Sequence, residues 1–520
     1  MQNILLGLSA LMQPQTLLFL FIGTVVGLII GALPGLTGNM AIALMVPVTF
    51  TMDPTTGLAF LTAIYCSSIF GGSISAILLG IPGTISSFAT TLDGHPMALQ
   101  GKAGTALGVS TLSSVFGGVF SAIVLMSLTS VLAEFALTFG PAEYFAVAVL
   151  GLSCIASIGG KSISKGLLSG FIGLFIACIG MDPQTGVKRY TFGNINLLSG
   201  VEMVAALIGL FGVISVLKSA EKAKKATNER TEEKMPDVGS TWIGWKMCAK
   251  LLPTWLRGAI IGTVVGIIPG AGTNVATFLA YDTEKKISKD GDTFGKGNPK
   301  GIAAPESANN GVTGGSLVPL LALGVPGNAT SALFLSALML QGLATGPVLF
   351  TDHADIVYAL FLAFFICNII MAPLGLFLLR YMKKILSVPE SLMGGIILAF
   401  CVTGVFSIAT NPFDVIIVIV FGVLGYVFYK FDIPSAPLIV CLVLGSMAER
   451  NLRQALVANS GSYSFLWTRP ITLVVLLISL FSFFAPIISK AVKAARKRRQ
   501  PNVVSVNDMV EGSGEELDDD

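Results

Sequence analysis

Pro269-Gly270-Ala271-Gly272-Thr273-Asn274 follows the apolar run Gly262-Thr263-Val264-Val265-Gly266 in the second half of the chain. A counterpart lies far upstream. Gly23-Thr24-Val25-Val26-Gly27 repeats the run letter for letter, and Pro34-Gly35-Leu36-Thr37-Gly38-Asn39 follows after a gap longer by four residues. Proline deletes a backbone donor and glycine adds chain entropy, so neither motif continues an ordinary helix. A break inside apolar sequence, at corresponding places in two halves, points to a transporter binding site built from interrupted helices.

Composition sets the medium. The 520 residues are 53% hydrophobic and only 12% charged, with mean hydropathy +0.81. A soluble protein carries about 25% charged residues, so this chain cannot solvate a folded surface in water and belongs in a membrane. Its apolar segments run to about 20 residues, the length of a helical crossing, and lack the alternating strands of about ten residues that mark a barrel. The expected class is an all-α polytopic integral membrane protein. Met1 to Phe21 carries no charge and no basic n-region, so it does not read as a cleavable signal. The seven cysteines are scattered without a CxxC pair and read as small packing residues, with no disulfide framework or metal site expected.

In order, Thr16–Leu33 and Met40–Phe50 form a candidate re-entrant hairpin, and Asp53-Pro54 marks a surface turn. Ala59–Gly80 follows, then Ile81-Pro82-Gly83-Thr84 and a less apolar stretch to Gln100. Helices are expected near 106–132, 142–160, 166–181 and 200–217. Lys218–Lys250 is hydrophilic and lysine-rich, hence cytoplasmic by the positive-inside tendency. The second half restarts near Leu256, passes a charged stretch from Tyr281 to Lys300, and breaks again at Gly324-Val325-Pro326-Gly327-Asn328. Later helices are expected near 356–379, 390–410, 414–429, 433–447 and 470–489. The units are a first membrane repeat (1–217), a cytoplasmic linker (218–255), a second membrane repeat (256–489) and a cytoplasmic tail (490–520).

Four motif pairs support the repeat, all in the same order and offset by about 240 residues. Besides the opening pair, Gly71-Gly72-Ser73 matches Gly314-Gly315-Ser316, Gly80-Ile81-Pro82-Gly83 matches Gly324-Val325-Pro326-Gly327, and Leu99-Gln100-Gly101 matches Leu340-Gln341-Gly342. With the 218–250, 281–300 and 490–499 stretches inside, the second hairpin enters from the cytoplasm and the first from outside. The two repeats are then inverted.

An interrupted helix exposes unpartnered N–H groups with partial positive charge, which suit an anion such as a carboxylate. Gly35, Gly38, Gly270 and Gly272 let a ligand approach the backbone, while Thr37, Asn39, Thr273 and Asn274 add neutral donors and acceptors. After the second breaks, Thr84, Ser86, Ser87, Asn328, Thr330 and Ser331 are placed to contribute similarly. Carbonyl groups near Pro34, Pro82, Pro269 and Pro326 suit Na⁺. Gly-Gly-Ser clusters also serve close helix packing, and Ser73 stands as a candidate beside that use. Asn309 and Asn310, in Pro305-Glu306-Ser307-Ala308-Asn309-Asn310, complete the set. Glu306 aligns with Ala63 and has two readings: a cation or proton group, or an acid at a helix N-terminus at the interface. His95 and His353 are expected to be solvated loop residues. Gly270-Ala271-Gly272 lacks a βαβ setting, Asp290 replaces the glycine that a phosphate loop ending at Gly295-Lys296 requires, and two distant histidines exclude HExxH. No enzyme, cofactor or nucleic-acid role is expected.

Gly31-Ala-Leu-Pro-Gly-Leu-Thr-Gly-Asn39, Ile268-Pro-Gly-Ala-Gly-Thr-Asn274, Pro305–Asn310 and Gly324–Gly327 together resemble the large membrane subunit of tripartite tricarboxylate transporters. The resemblance extends from about Thr16 to Arg499. It implies a permease in the bacterial inner membrane, a small partner with about four helices, and a periplasmic binding protein that delivers substrate. It further implies ion-driven import of di- or tricarboxylates by an elevator-like movement, with Na⁺ or H⁺ as coupling ion. The motif segments hold no Arg or Lys to pair with a carboxylate, so helix ends and bound cations would neutralise it. Two other readings stay open: a stand-alone anion carrier without a binding protein, and a channel. An intramembrane enzyme lacks a nucleophile–base pair or metal set.

Overall fold

The computed structural model describes residues 2–499 except 34–35, 154, 156–161, 183, 226–235, 271, 382–383, 385–389 and 410. Pro34, Gly35, Ala271, Cys154, Lys161 and the acidic end from Glu511 lie outside the described residues. Regular structure is almost entirely helical. A two-stranded sheet, Gly180–Met181 antiparallel to Lys188–Arg189, closes a short turn. Six helices among the described residues are long and apolar enough to cross a membrane, so this is a multi-pass helical membrane protein.

After a short leading helix, Gln2–Leu11, the first half has α1 (Pro14–Ala32), α2 (Gly38–Thr49) and α3 (Pro54–Leu79), followed by α4 (Phe88–Met97) and α5 (Ala103–Ala136). The second opens with α6 (Gly244–Ile267), α7 (Thr273–Ile287), α8 (Pro299–Leu323) and α9 (Ala329–Leu340). α3 and α8 share one grammar. Asp53 caps α3 by accepting from the N–H groups of Thr55 and Thr56, with Pro54 at the first helical position; Asn298 caps α8 through Lys300 N–H, with Pro299 likewise placed. Each helix stops at a left-handed glycine, Gly80 (φ 69°) or Gly324 (φ 74°). Both are enclosed along their length, α3 from Thr55 to Leu78 and α8 from Gly301 to Ala322.

Around these two enclosed helices the broken ones pack by glycine. A Cβ at Gly23, Gly27 or Gly31 of α1 would stand 2.6, 2.7 or 2.2 Å from the carbonyl oxygen of Phe60, Ile64 or Ser68 of α3. A Cβ at Gly258, Gly262 or Gly266 of α6 would stand 2.5, 2.1 or 2.8 Å from that of Ala304, Ala308 or Val312 of α8. Both ladders advance four residues at a time on each helix, so each pair runs parallel with its backbones in contact. This is the small-xxx-small packing that substitutes for hydrophobic driving force in lipid. It also explains why the run Gly-Thr-Val-Val-Gly occurs twice.

The halves then cross. Tyr65 Oη lies 3.0 Å from Ser316 Oγ, and Ser73 Oγ donates to Glu306 at 2.6 Å. Residues ascending on α3 therefore face residues descending on α8, and the two helices run in opposite senses. The ends lock reciprocally: Gln341 Nε2 donates to Thr49 O at 2.6 Å, and Gln100 Nε2 donates to Lys296 O at 2.8 Å. Asp93 on α4 adds a latch, accepting from the N–H groups of Gly295, Gly297 and Asn298 and from Tyr281 Oη.

Several boundaries differ from the sequence reading. The less apolar stretch after Pro82, to which the sequence reading gave no helix, forms a 3-10 turn, Ile85–Ser87, and then α4. His95 sits on α4, half-buried, with Nδ1 3.2 Å from Ile77 O. α6 starts at Gly244 rather than Leu256, because its first turns carry Lys246 and Lys250 on an amphipathic face that a search for apolar sequence overlooks. For the same reason the helix Ala436–Ala458 outlasts the expected 433–447, its charged end carrying Glu449 and Arg453. Those residues pin the 180–189 turn: Arg453 pairs with Asp182 at 2.8 Å. N–H groups of Gln184 and Thr185, aided by Arg453 and Arg189, hold the Asp182 carboxyl below its usual range.

Gly262→Ala places its methyl against Ala308 O and must push α6 from α8. Overpacking of this kind costs about 1–3 kcal/mol, so the thermal midpoint of the detergent-solubilised protein should fall measurably. An unchanged midpoint would contradict the ladder.

Candidate functional site

Each half interrupts itself twice, and the released backbone groups must be met by protein, since lipid offers none. Part of this demand is met within each half: in the first, the second break bonds back to α3, and in the second the two breaks bond to each other. Gly83 N–H donates to Gly72 O at 3.1 Å, and Gly270 N–H donates to Gly327 O at 2.9 Å. Gly83 and Gly327 fit because a Cβ there would stand 2.5 and 2.9 Å from Gly31 O and Gly266 O, the last rungs of the two ladders. Packing therefore decides where the breaks lie.

Each first break also touches the other half. α2 begins with Thr37 as N-cap, its hydroxyl accepting from Met40 N–H at 3.3 Å, and Gly38 packs on Ser68. Half-buried Asn39 accepts from the Thr330 hydroxyl at the start of α9. Asn328 caps α9 by a reciprocal box with Ser331, Ser331 N–H donating to Asn328 Oδ1 at 2.8 Å. Its Nδ2 lies 3.4 Å from Tyr65 Oη. Across the opposite crossing, α7 packs on the Ile85–Ser87 turn, and Phe278 meets Phe88 with ring centroids 6.0 Å apart. α7 has Gly272 at its N-cap position, with no side-chain cap and no acid in its first turn. Its first N–H groups therefore carry the partial positive charge of an uncapped helix start. Thr273 and Asn274 are half-buried there, without a side-chain partner among the described residues.

The candidates fall into distinct groups. Asn39, Gly270, Asn328 and Thr330 form one connected cluster through residues 327–330, with Thr37 and Gly38 beside it. Asn39 and Asn274 share no hydrogen bond; the two first breaks are linked by the second break of the second half. Thr84, Ser86 and Ser87 form a hydroxyl knot, Thr84 Oγ1 lying 3.0 and 3.1 Å from the two serine oxygens, and Ser87 donating to Gly72 O. Ser73 points to Glu306. Asn310 donates to Glu306 O at 3.2 Å, while its Oδ1 and both polar atoms of Asn309 are buried without a hydrogen-bond partner. Glu306 itself stands well inside α8 and is fully buried, so the reading of it as an interfacial helix-start acid is overturned.

Sequence reading missed three contributors. Tyr65 bridges Asn328 and Ser316, Thr90 reaches Glu306, and Ser114 of α5 donates to it at 2.9 Å. The available signal was a tyrosine in an otherwise apolar and small-residue helix, and serines one turn apart at 110 and 114.

A helical membrane protein with paired helix breaks, neutral polar groups gathered at them and no cationic side chain in the gathering has the construction of a transporter for small solutes. Comparison with known proteins agrees. A family model described as "Tripartite tricarboxylate transporter TctA family" matches residues 17–440. An uncharacterized 52.8 kDa protein from the TAR-I ttuC' 3' region of Agrobacterium vitis is 35% identical over 479 residues, covering 92% of this chain and 94% of that protein. A second uncharacterized protein, from the TAR-II ttuC' 3' region of the same organism, is 37% identical over 210 residues, 40% of this chain and 87% of its own length. No solved structure matches significantly. The chain belongs to the TctA family of tripartite tricarboxylate transporters.

An amide buried without partners stabilises nothing where it stands. Asn309→Ala should therefore leave the thermal midpoint unchanged or raise it, while citrate uptake in proteoliposomes drops by about tenfold or more, the scale of a lost hydrogen bond to a charged ligand. A lower midpoint with uptake intact would make Asn309 a structural residue.

Proposed function

We propose that this chain is the large permease subunit of a secondary transporter that imports di- or tricarboxylates across the bacterial inner membrane, driven by an ion gradient. A periplasmic binding protein delivers the substrate, and a small membrane subunit with about four helices completes the assembly. The observation that carries the reading is the reciprocal gathering of breaks, in which Asn39 and Gly270 both engage residues 327–330. The antiparallel course of α3 and α8, whose motifs correspond, supports inverted repeats spanning 1–217 and 256–489. Charge placement supports a cytoplasmic linker and tail.

In this mechanism the substrate carboxylates lie against the uncapped start of α7 and the start of α2, where N–H groups and the Asn and Thr side chains meet them. Dipole ends and charge-assisted hydrogen bonds supply the attraction, since no Arg or Lys is at hand. A cation offsets the remaining negative charge, by way of carbonyl groups near Pro82, Pro269 and Pro326 or another site. Alternating access follows if the two hairpins move together as an elevator-like unit.

The test is uptake of radiolabelled citrate and succinate by proteoliposomes holding the purified permease and its small subunit, with and without the binding protein, under imposed Na⁺ or H⁺ gradients. Saturable, gradient-dependent uptake that requires the binding protein is expected. Uptake without the binding protein would indicate a stand-alone carrier, and non-saturating flux a channel. Asn39→Ala and Asn274→Ala should each lower uptake by about tenfold or more with insertion unchanged; wild-type kinetics in both variants would remove the site assignment.

A further inference from the structure

Glu306 is fully buried, and its side-chain partners are all neutral. Ser73 Oγ of α3 donates to Oε1 at 2.6 Å, Thr90 Oγ1 of α4 donates to the same oxygen, and Ser114 Oγ of α5 donates to Oε2 at 2.9 Å. The remaining charged groups nearby are engaged elsewhere. Asp93, one turn beyond Thr90, is taken up by three backbone N–H groups and Tyr281. Arg257 of α6 pairs with Glu284 of α7 at 2.8 Å. A carboxylate enclosed without a counter-charge is among the costliest arrangements in a membrane interior, and such groups mark ion or proton sites.

A second observation points to a ligand. The Ser110 hydroxyl, one turn before Ser114 on the same face of α5, is completely buried and close enough to act on the Glu306 carboxylate, yet it makes no well-formed hydrogen bond among the described residues. Each of the other three hydroxyls has its proton committed to the carboxylate, leaving oxygen lone pairs free. The cluster thus offers hard oxygens only: four hydroxyls and one carboxylate. That donor set suits a small hard cation rather than a soft metal. The single negative charge matches a monovalent ion, since a divalent ion would leave a net positive charge buried.

We propose that Glu306, with Ser73, Thr90, Ser110 and Ser114, forms a Na⁺ site between the two halves of the protein. The acid comes from the second half and every hydroxyl from the first. Na⁺ therefore ties α8 to α3, α4 and α5, and it bears on the second break of the first half from both sides, Ser73 preceding Gly80–Gly83 and Thr90 following it. This assignment rests on the reading of the chain as an ion-driven transporter and gives the driving ion a location.

Thermal unfolding of the purified protein is compared in NaCl and in choline chloride at equal ionic strength, without substrate. The wild-type midpoint should rise saturably with Na⁺. Glu306→Gln should abolish the rise, and Ser114→Ala, the milder change, should raise the half-saturating Na⁺ concentration by about tenfold or more, on the scale of a lost hydrogen bond to a charged group. Equal wild-type midpoints in the two salts, or a wild-type Na⁺ response retained in Ser114→Ala and in folded Glu306→Gln, would overturn the site. The transport reading fails separately, by absence of citrate uptake, whether or not the Na⁺ response is present.

Discussion

The fold depends on two glycine ladders, Gly23-Gly27-Gly31 against α3 and Gly258-Gly262-Gly266 against α8. Water gives no help between helices in lipid, so backbones must come close enough for dispersion and weak polar contact to hold them. A ladder with this spacing fixes register and direction together. It also fixes where each helix stops, because the last rungs, Gly31 and Gly266, present their carbonyls to Gly83 and Gly327. The breaks are held by the same packing that positions the helices carrying them.

From that constraint the polar architecture follows. A helix stopped inside a membrane must pass its orphaned groups to protein, and here each half satisfies part of the demand itself, through Gly83 N–H to Gly72 O in the first and Gly270 N–H to Gly327 O in the second. The other half supplies the rest: Thr330 to Asn39, Tyr65 to Asn328, Gln341 to Thr49, Gln100 to Lys296. The repeats are not simply neighbours, since each completes the other. The symmetry is incomplete at one place. α8 carries Glu306, Asn309 and Asn310 where α3 carries Ala63, Cys66 and Ser67, so an acid and two amides enter the interior from one side only.

Much of this was legible in the sequence. Proline and glycine pairs announced the breaks, Asp53-Pro54 announced the start of α3, and the paired motifs announced correspondence between the halves. The family resemblance, drawn from those motifs, matches the family to which the chain belongs. What could not be read was tertiary. The Gly-Thr-Val-Val-Gly run read only as a repeated apolar segment before each break, whereas its glycines are ladder rungs, and Gly31 and Gly258 extend the ladders beyond the matching letters. Asn328 looked like a ligand, and its amide in this structure caps α9. The hydroxyls around Glu306 come from three helices, so no spacing in the sequence joins them. α4 was missed because a helix of ten residues containing Gly94 and Pro96 has little helical signature of its own.

The central claim is that the starts of α2 and α7 serve one substrate. The most direct measurement is the rate at which a polar thiol reagent modifies Asn39→Cys and Asn274→Cys, each in a background with the seven native cysteines replaced. Saturating citrate should slow modification at both positions and leave Asn196→Cys, on the exposed Ile195–Leu197 turn, unaffected. Equal rates with and without citrate at Asn39→Cys and Asn274→Cys would contradict the account.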